Sequence, residues 1–213
     1  MSFFNFFKVL TAPLMWVLFP TKVFGKEKYY REKAVVCCNH YSGLDVAIIG
    51  HEFLWGGCYC IAKEELFHNK FVAWFLRKSG AISIRRGESD VQAYRASLKV
   101  LSEGNQLIIF PEGTRNKPDN KELQPLLPGA VTFALKGECD IIPMVIHGKV
   151  KPFHRAYLLV GDPIKLDAFK DMSAREAREG ATKVLYEAMS GLKKELDQML
   201  EAKKHKRNKE KAV

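Results

Sequence analysis

The sequence predicts an α/β fold, a mixed sheet flanked by helices, preceded by an N-terminal apolar helix that lies in a membrane interface. Three observations predict it. Short apolar runs of strand length alternate with amphipathic runs of helix length. Several strand-like runs end in polar turn residues, where open α/β sheets gather their ligands. Residues 3–20 are apolar and aromatic to a degree nothing later in the chain matches. With 213 residues the chain holds one domain with a substantial core and appendages.

Taken in order, Phe3 to Pro20 is interrupted by Lys8 and Pro13, which leaves it marginal for a spanning helix of ~20 residues. A secretory signal is disfavoured, because the basic start and the small-residue cleavage site are missing. An interfacial anchor with Phe and Trp at headgroup depth fits, and so does a helix docked on the domain. Lys22, Lys26, Lys28, Arg31 and Lys33 follow and would sit just outside an anionic leaflet. Ala34 is followed by Val35-Val36-Cys37-Cys38, a buried strand that breaks into Asn39-His40-Tyr41-Ser42-Gly43-Leu44-Asp45. A helix begins near Ser42 or Asp45, both N-cap types.

Gly56 to Ala62 reads as a strand, Phe71 to Leu76 as a short helix closed by Gly80, and Ala81 to Ile84 as a strand running into Arg85-Arg86-Gly87. Ser89-Asp90 caps a helix that Gly104 closes. Gln106 to Phe110 is a buried strand delivering Pro111-Glu112-Gly113-Thr114-Arg115-Asn116, and a polar loop continues to Pro128. A helix over Gly129–Lys136 and strands over Ile141–Ile146 and Ala156–Val160 follow. Ser173-x-x-Glu176 has the spacing of a capping box and opens a long helix with Ala177, Ala181, Val184/Leu185, Ala188, Leu192 and Leu196 on one face. From Lys203 the chain reads as a solvated basic tail. The expected division is therefore 1–24 as anchor, 25–170 as the α/β domain, and 171–213 as C-terminal helix and tail.

The balance of 34 Lys+Arg against 24 Asp+Glu gives a net charge of +10, which points to a polyanionic partner. Nucleic acid is excluded, because the basic residues cluster at the two ends without interleaved stacking aromatics. An anionic membrane surface or a phosphorylated substrate remains. Five cysteines with no CxxC spacing read as reduced core residues, and no metal is expected.

Three strand-end loops carry chemistry: Asn39/His40/Asp45, Arg85/Arg86 and Glu112/Gly113/Thr114/Arg115. His40 and Asp45 can fold back on each other, giving an imidazole whose second nitrogen is held by a carboxylate, a general base for a hydroxyl proton. The same spacing also fits a surface histidine and a helix-capping aspartate. Arg115 beside a glycine turn offers a guanidinium fork and open backbone N–H groups to a phosphate. Glu112 would hold that arginine or a substrate hydroxyl. No serine sits in a Gly-x-Ser-x-Gly elbow, and Cys37 and Cys38 lie inside a strand, so a covalent intermediate is not expected.

Asn39-His40-x4-Asp45 together with Phe110-Pro111-Glu112-Gly113-Thr114-Arg115 resembles the glycerolipid acyltransferase family, in particular its bacterial 1-acylglycerol-3-phosphate branch. Ala62-Lys63-x-x-Leu66, Gly80-Ala-Ile-x-Ile-x-Arg86-Gly87 and Ile142-Pro143-Met-Val-Ile146 agree in order, so the resemblance covers roughly residues 30–150. It implies His40 as base and Asp45 as its partner. It makes Lys63, Arg86 and Arg115 phosphate ligands, with Arg85 beside them, and has Glu112, Gly113 and Thr114 line the acceptor site. The family more often carries an acidic residue at Arg85 and a serine at Asn116. The implied substrates are lysophosphatidic acid as acceptor and acyl-CoA or acyl-carrier protein as donor, with no cofactor. The implied location is the cytoplasmic face of the cell membrane. Acylation of glycerol-3-phosphate or another lysolipid, or lipid-phosphate binding without turnover, is the alternative.

Overall fold

The computed structural model describes residues 2–54, 56–85, 90–117 and 122–211, with the side chains of 206–211 excepted. The apolar N-terminal stretch forms α1 (Phe3–Leu18), capped by Ser2, whose Oγ accepts the Asn5 N–H at 3.2 Å. One face of α1 docks. Phe4, Met15 and Phe19 pack on the core, Asn5 Oδ1 accepts the Gly56 N–H at 2.8 Å, and Lys8 Nζ donates to the Leu54 carbonyl at 2.8 Å. The other face presents Leu10, Leu14, Trp16 and Val17 outward, with Trp16 71% exposed. No helix among the described residues is long and apolar enough to cross a membrane.

Thr21–Phe24, at the start of the basic stretch that follows α1, forms strand β1 at the edge of the sheet. β2 (Ala34–Cys38) is buried at every position, which its unbroken apolar run requires of a central parallel strand. α2 (Leu44–Glu52) begins just after Gly43, between the two expected starts. The strand expected over 56–62 shrinks to β3 (Ile61–Lys63), because Gly56 takes a positive φ of 101° and a Cβ on Gly57 would lie 2.7 Å from the Tyr59 ring. α3 (Lys70–Ser79) is capped by Asn69 and closed by Gly80 in the left-handed conformation; β4 (Ile82–Ile84) follows.

α4 (Val91–Ser102) is capped by Asp90, whose Oδ1 accepts the Ala93 N–H at 2.9 Å; Ser89 lies outside the described residues. β5 (Gln106–Ile109), α5 (Gly129–Gly137), β6 (Asp140–Ile146) and β7 (Ala156–Val160) fall where expected. Ser173 and Glu176 cap each other's backbone, at 3.3 and 3.2 Å, at the start of α6 (Ala174–Lys211). The helix does not stop at Lys203 but runs through the basic segment to Lys211. Its buried stripe takes Leu185 and Met189 rather than Val184 and Ala188, since Val184 is exposed.

The main sheet has the order β1-β7-β6-β2-β5, parallel throughout except for the antiparallel β6–β7 pair. β3 and β4 form a parallel pair of their own, joined to the main sheet by a bridge from Cys60 to Ile108. α1 and α2 cover one face; α5 and α6 cover the other. The consequence for function is positional. β2, β3, β4 and β5 run parallel, so the loops at their carboxyl ends share one edge of the molecule.

Candidate active site

β2 ends in a side-chain imitation of its own sheet pairing. Asn39 donates from Nδ2 to the Ile146 carbonyl at 3.0 Å and accepts the Ile146 N–H at 2.7 Å. This fixes the next residue, His40, as the chain leaves the strand. The His40 ring stacks on Phe110 at the end of β5, with centroids 4.1 Å apart and planes 24° apart. Its Nδ1 lies 3.0 Å from Asp45 Oδ2. Asp45 is fully buried, and the same carboxylate accepts the N–H groups of Tyr41 at 2.6 Å and Ser42 at 2.7 Å, and the Ser42 hydroxyl at 3.0 Å. The expected fold-back is therefore real, and the start of α2 produces it. Asp45 is held by donors the turn itself supplies, and in turn orients the imidazole. With Nδ1 engaged by Asp45, Nε2 has no hydrogen-bond partner among the described residues.

Glu112, expected at the acceptor, instead directs both oxygens into the protein. Oε1 accepts the His40 N–H at 2.9 Å; Oε2 accepts from Asn116 Nδ2 at 3.2 Å and from the Gln124 N–H at 3.1 Å. The residue is 5% exposed. Burial pushes its carboxyl above the ordinary glutamate value, against the pull of the His40 and Gln124 N–H groups and of the charges of His40 and Lys193. Asn116 closes the clamp by donating its N–H to the His40 carbonyl at 2.6 Å. His40 is thus gripped on both sides of its own peptide units by the loop after β5.

Arg115 is exposed, and its Nη2 lies 3.5 Å from where a Cβ on Gly43 would stand, which brings the guanidinium against the His40–Asp45 turn. Gly113 makes the turn that sends Arg115 there, with a positive φ of 69°. Thr114 points elsewhere, donating to Gln124 Oε1 at 3.1 Å. Lys63 ends β3, exposed, and pairs in register with Ile84, so Arg85 follows directly beside it. Arg85 is held by Glu64 at 3.1 Å. Arg86 and Gly87 lie outside the described residues. Burial pushes the thiols of Cys37 and Cys38 well above the ordinary cysteine value, which removes them as nucleophiles.

Three contributors were not anticipated from sequence. Asn116 and Gln124 complete the Glu112 clamp. Lys193, 7% exposed on α6, donates to the Tyr41 hydroxyl at 3.1 Å and lies 3.8 Å from Asp197, which also binds His147 at 2.8 Å. A lysine on a buried helical stripe is the one local signal that marks it, because such a position is apolar unless a partner waits there.

Between α1, α2 and α3 lies an apolar cavity of about 250 Å³, lined by Phe4, Phe7, Met15, Val46, Ala47 and Phe75 among others. Gly43 is also part of its wall, so the cavity adjoins the turn that holds His40.

This α/β domain gathers its polar groups at the carboxyl ends of parallel strands, where such sheets hold their ligands. The chain belongs to the acyltransferase family, whose model matches residues 20–147. It is 30% identical over 184 residues to the 1-acyl-sn-glycerol-3-phosphate acyltransferase of Bacillus subtilis (strain 168), a match covering 84% of this chain and 90% of that one. The protein of that name from Saccharomyces cerevisiae is 29% identical over 128 residues, covering 59% of this chain and 42% of its own length. Among solved structures, the 1-acyl-sn-glycerophosphate (LPA) acyltransferase PlsC of Thermotoga maritima superposes with a TM-score of 0.67 at 26% identity, covering 89% of this chain and 79% of that one.

Proposed function

We propose that this acyltransferase moves an acyl chain from acyl-CoA or acyl-carrier protein to the free hydroxyl of 1-acylglycerol-3-phosphate, forming phosphatidic acid. The observation that carries the reading is the His40–Asp45 pair beside an apolar cavity. His40 Nε2 takes the hydroxyl proton as the acceptor oxygen attacks the thioester carbonyl carbon. The C–O bond forms, the tetrahedral intermediate collapses, the C–S bond breaks, and the imidazolium returns its proton to the departing thiolate. The N–H groups of Tyr41 and Ser42 are already committed to Asp45, so the developing oxyanion falls to the Gly43 N–H at the amino end of α2, which has no partner among the described residues. No cofactor enters the step. A panel offering lysophosphatidic acid, glycerol-3-phosphate and other lysolipids in parallel, read by thiol release, tests the acceptor. Lysophosphatidic acid is expected to give the highest kcat/KM; a preference for glycerol-3-phosphate would overturn the assignment.

Arg115 and Lys63 bind the acceptor phosphate in this reading. Arg115→Ala and Lys63→Ala should each raise the acceptor KM at least tenfold, since a lost charge-assisted contact is worth roughly 1.5–3 kcal/mol. The donor KM should hardly move, and steady-state kinetics with both substrates varied separates the two.

The cavity takes the acyl chain. Ala47→Phe would fill part of it and shift the donor preference towards shorter chains. An unchanged profile across a series of acyl-CoA lengths would place the chain elsewhere.

The outward face of α1, with the exposed Phe71 and Trp74 of α3 beside it, is the surface that meets the membrane, at its cytoplasmic side. Replacing Leu10 and Trp16 together by Ser should weaken vesicle binding at least tenfold, because each large apolar side chain contributes about 1.5–3 kcal/mol when buried. The loss should persist at high salt. Vesicle flotation across a salt series checks it.

A further inference from the structure

β1 continues directly from the end of α1, and its outward side chains alternate, so Lys22 and Phe24 stand on one face of the edge strand. The last turns of α6 pass over that face. The ammonium groups of Lys22 and Lys203 lie 5.4 and 4.5 Å from the centroid of the same Phe24 ring. Strand pairing sets Lys22 opposite Tyr157, so the exposed Arg155, two residues before Tyr157 and level with Pro20, lies diagonal to Lys22 across the pair. Two ammonium groups from segments far apart in sequence therefore meet at one aromatic ring, and a third cation, Arg155, lies close enough for its charge to act on Lys203.

Among the described residues, Lys22, Arg155 and Lys203 pair with no carboxylate. Their neighbours do: Lys28 pairs with Asp162 at 2.9 Å and Lys26 with Glu52 at 3.7 Å. Desolvation, then the adjoining Lys22 and the charge of Arg155, hold Lys203 below the ordinary lysine value. Like charges gathered this closely repel, and an anion placed among them turns that repulsion into attraction.

Position identifies the anion. The cluster stands at the carboxyl end of α1, where the Phe153 N–H donates to the Leu18 carbonyl at 2.6 Å. Phe153 itself is 71% exposed and two residues from Arg155. An apolar face that ends in exposed aromatics and then in a cluster of cations matches the order of acyl chains, interface and phosphates in a leaflet.

We propose that Lys22, Arg155 and Lys203 form a cradle for the phosphate of an anionic phospholipid headgroup, separate from the site of acyl transfer. The proposal rests on the reading of the α1 face as the membrane-contacting surface. Under it, the basic end of α6 closes a lipid site against β1. The lysine ammoniums supply charge, and the arginine fork supplies geometry for phosphate oxygens.

The test is flotation of the full chain with phosphatidylcholine vesicles and with vesicles that also contain phosphatidylglycerol, at fixed ionic strength. Two variants are compared with the parent: Lys22→Gln/Arg155→Gln/Lys203→Gln, and a charge-matched control, Lys99→Gln/Lys136→Gln/Lys183→Gln. A basic residue near an anionic surface changes affinity about fivefold, so the cradle variant should lose up to roughly a hundredfold on phosphatidylglycerol vesicles. It should keep its phosphatidylcholine binding and its turnover of a monomeric short-chain substrate, which also establishes that it is folded. The control should lose much less. Equal losses in the two variants would reduce the cluster to diffuse charge and overturn the proposal. Release from phosphatidylglycerol vesicles by inorganic phosphate at matched ionic strength would likewise overturn it, by showing a site for free phosphate. If the parent binds neither vesicle, the membrane reading itself falls; if it binds both and the cradle variant binds equally well, the cradle alone falls.

Discussion

His40→Ala should abolish acyl transfer while the protein stays folded, a loss of at least about 10²–10⁴-fold, the usual contribution of a positioned base. The side chain is not part of the core. Its ring stacks on Phe110 at the protein's edge, and its main-chain bonds to Glu112 and Asn116 survive the substitution. Asp45→Asn should cost nearly as much by a different route. The carboxylate accepts two backbone N–H groups, a hydroxyl and the imidazole, whereas an amide turns one oxygen into a donor. The turn loses an acceptor, and the imidazole loses the partner that fixes its tautomer. Asp45→Asn should also lower the melting temperature, because the lost bonds are buried; His40→Ala should not. Thermal unfolding beside single-turnover kinetics separates the two effects.

Glu112→Gln is the second large expectation, and it decides between two roles for this residue. An acceptor ligand would show itself in the acceptor KM. A clamp would show itself in kcat, because both carboxylate oxygens face N–H donors and the glutamine NH2 must turn towards one of them. A displacement of about 1 Å at a reacting group costs roughly 100-fold, so kcat should fall by about that factor, with the acceptor KM changed little. Stability carries a separate sign. Burial raises the Glu112 carboxyl, so the native state holds that proton more tightly than the unfolded chain. The ionised form therefore costs stability, a cost absent below the ordinary glutamate value and growing as pH rises through it to the native one. Wild-type stability relative to Glu112→Gln should fall across that interval, and unfolding midpoints at a series of pH values measure it.

Much of the fold and the centre of the site could be read from the sequence because they depend on local rules. β2 is an unbroken apolar run that stops abruptly, and His40 and Asp45 are close enough in sequence for a turn to join them. β5 delivers Phe110-Pro111-Glu112 by the same logic. Other parts depended on partners the chain reaches only after folding. β1 is four residues among lysines, and only its pairing with β7, more than a hundred positions later, makes it a strand. Glu112 looked available to substrate because Asn116 and Gln124, which occupy its oxygens, sit in a loop without periodicity. The division between the inward and outward faces of α1 was equally hidden. An apolar run of sixteen residues says nothing about which side meets the domain, and it is Asn5 and Lys8 that fix it.

The most direct test of the mechanism is a paired measurement of thiol release and labelled lipid, with radiolabelled acyl-CoA and lysophosphatidic acid in detergent, for the wild type and His40→Ala. The wild type should release one thiol for each labelled phosphatidic acid, and His40→Ala should make neither. Phosphatidic acid formed by His40→Ala near the wild-type rate, or thiol released by the wild type without labelled phosphatidic acid, would contradict the assignment of His40 as the base in acyl transfer to this acceptor.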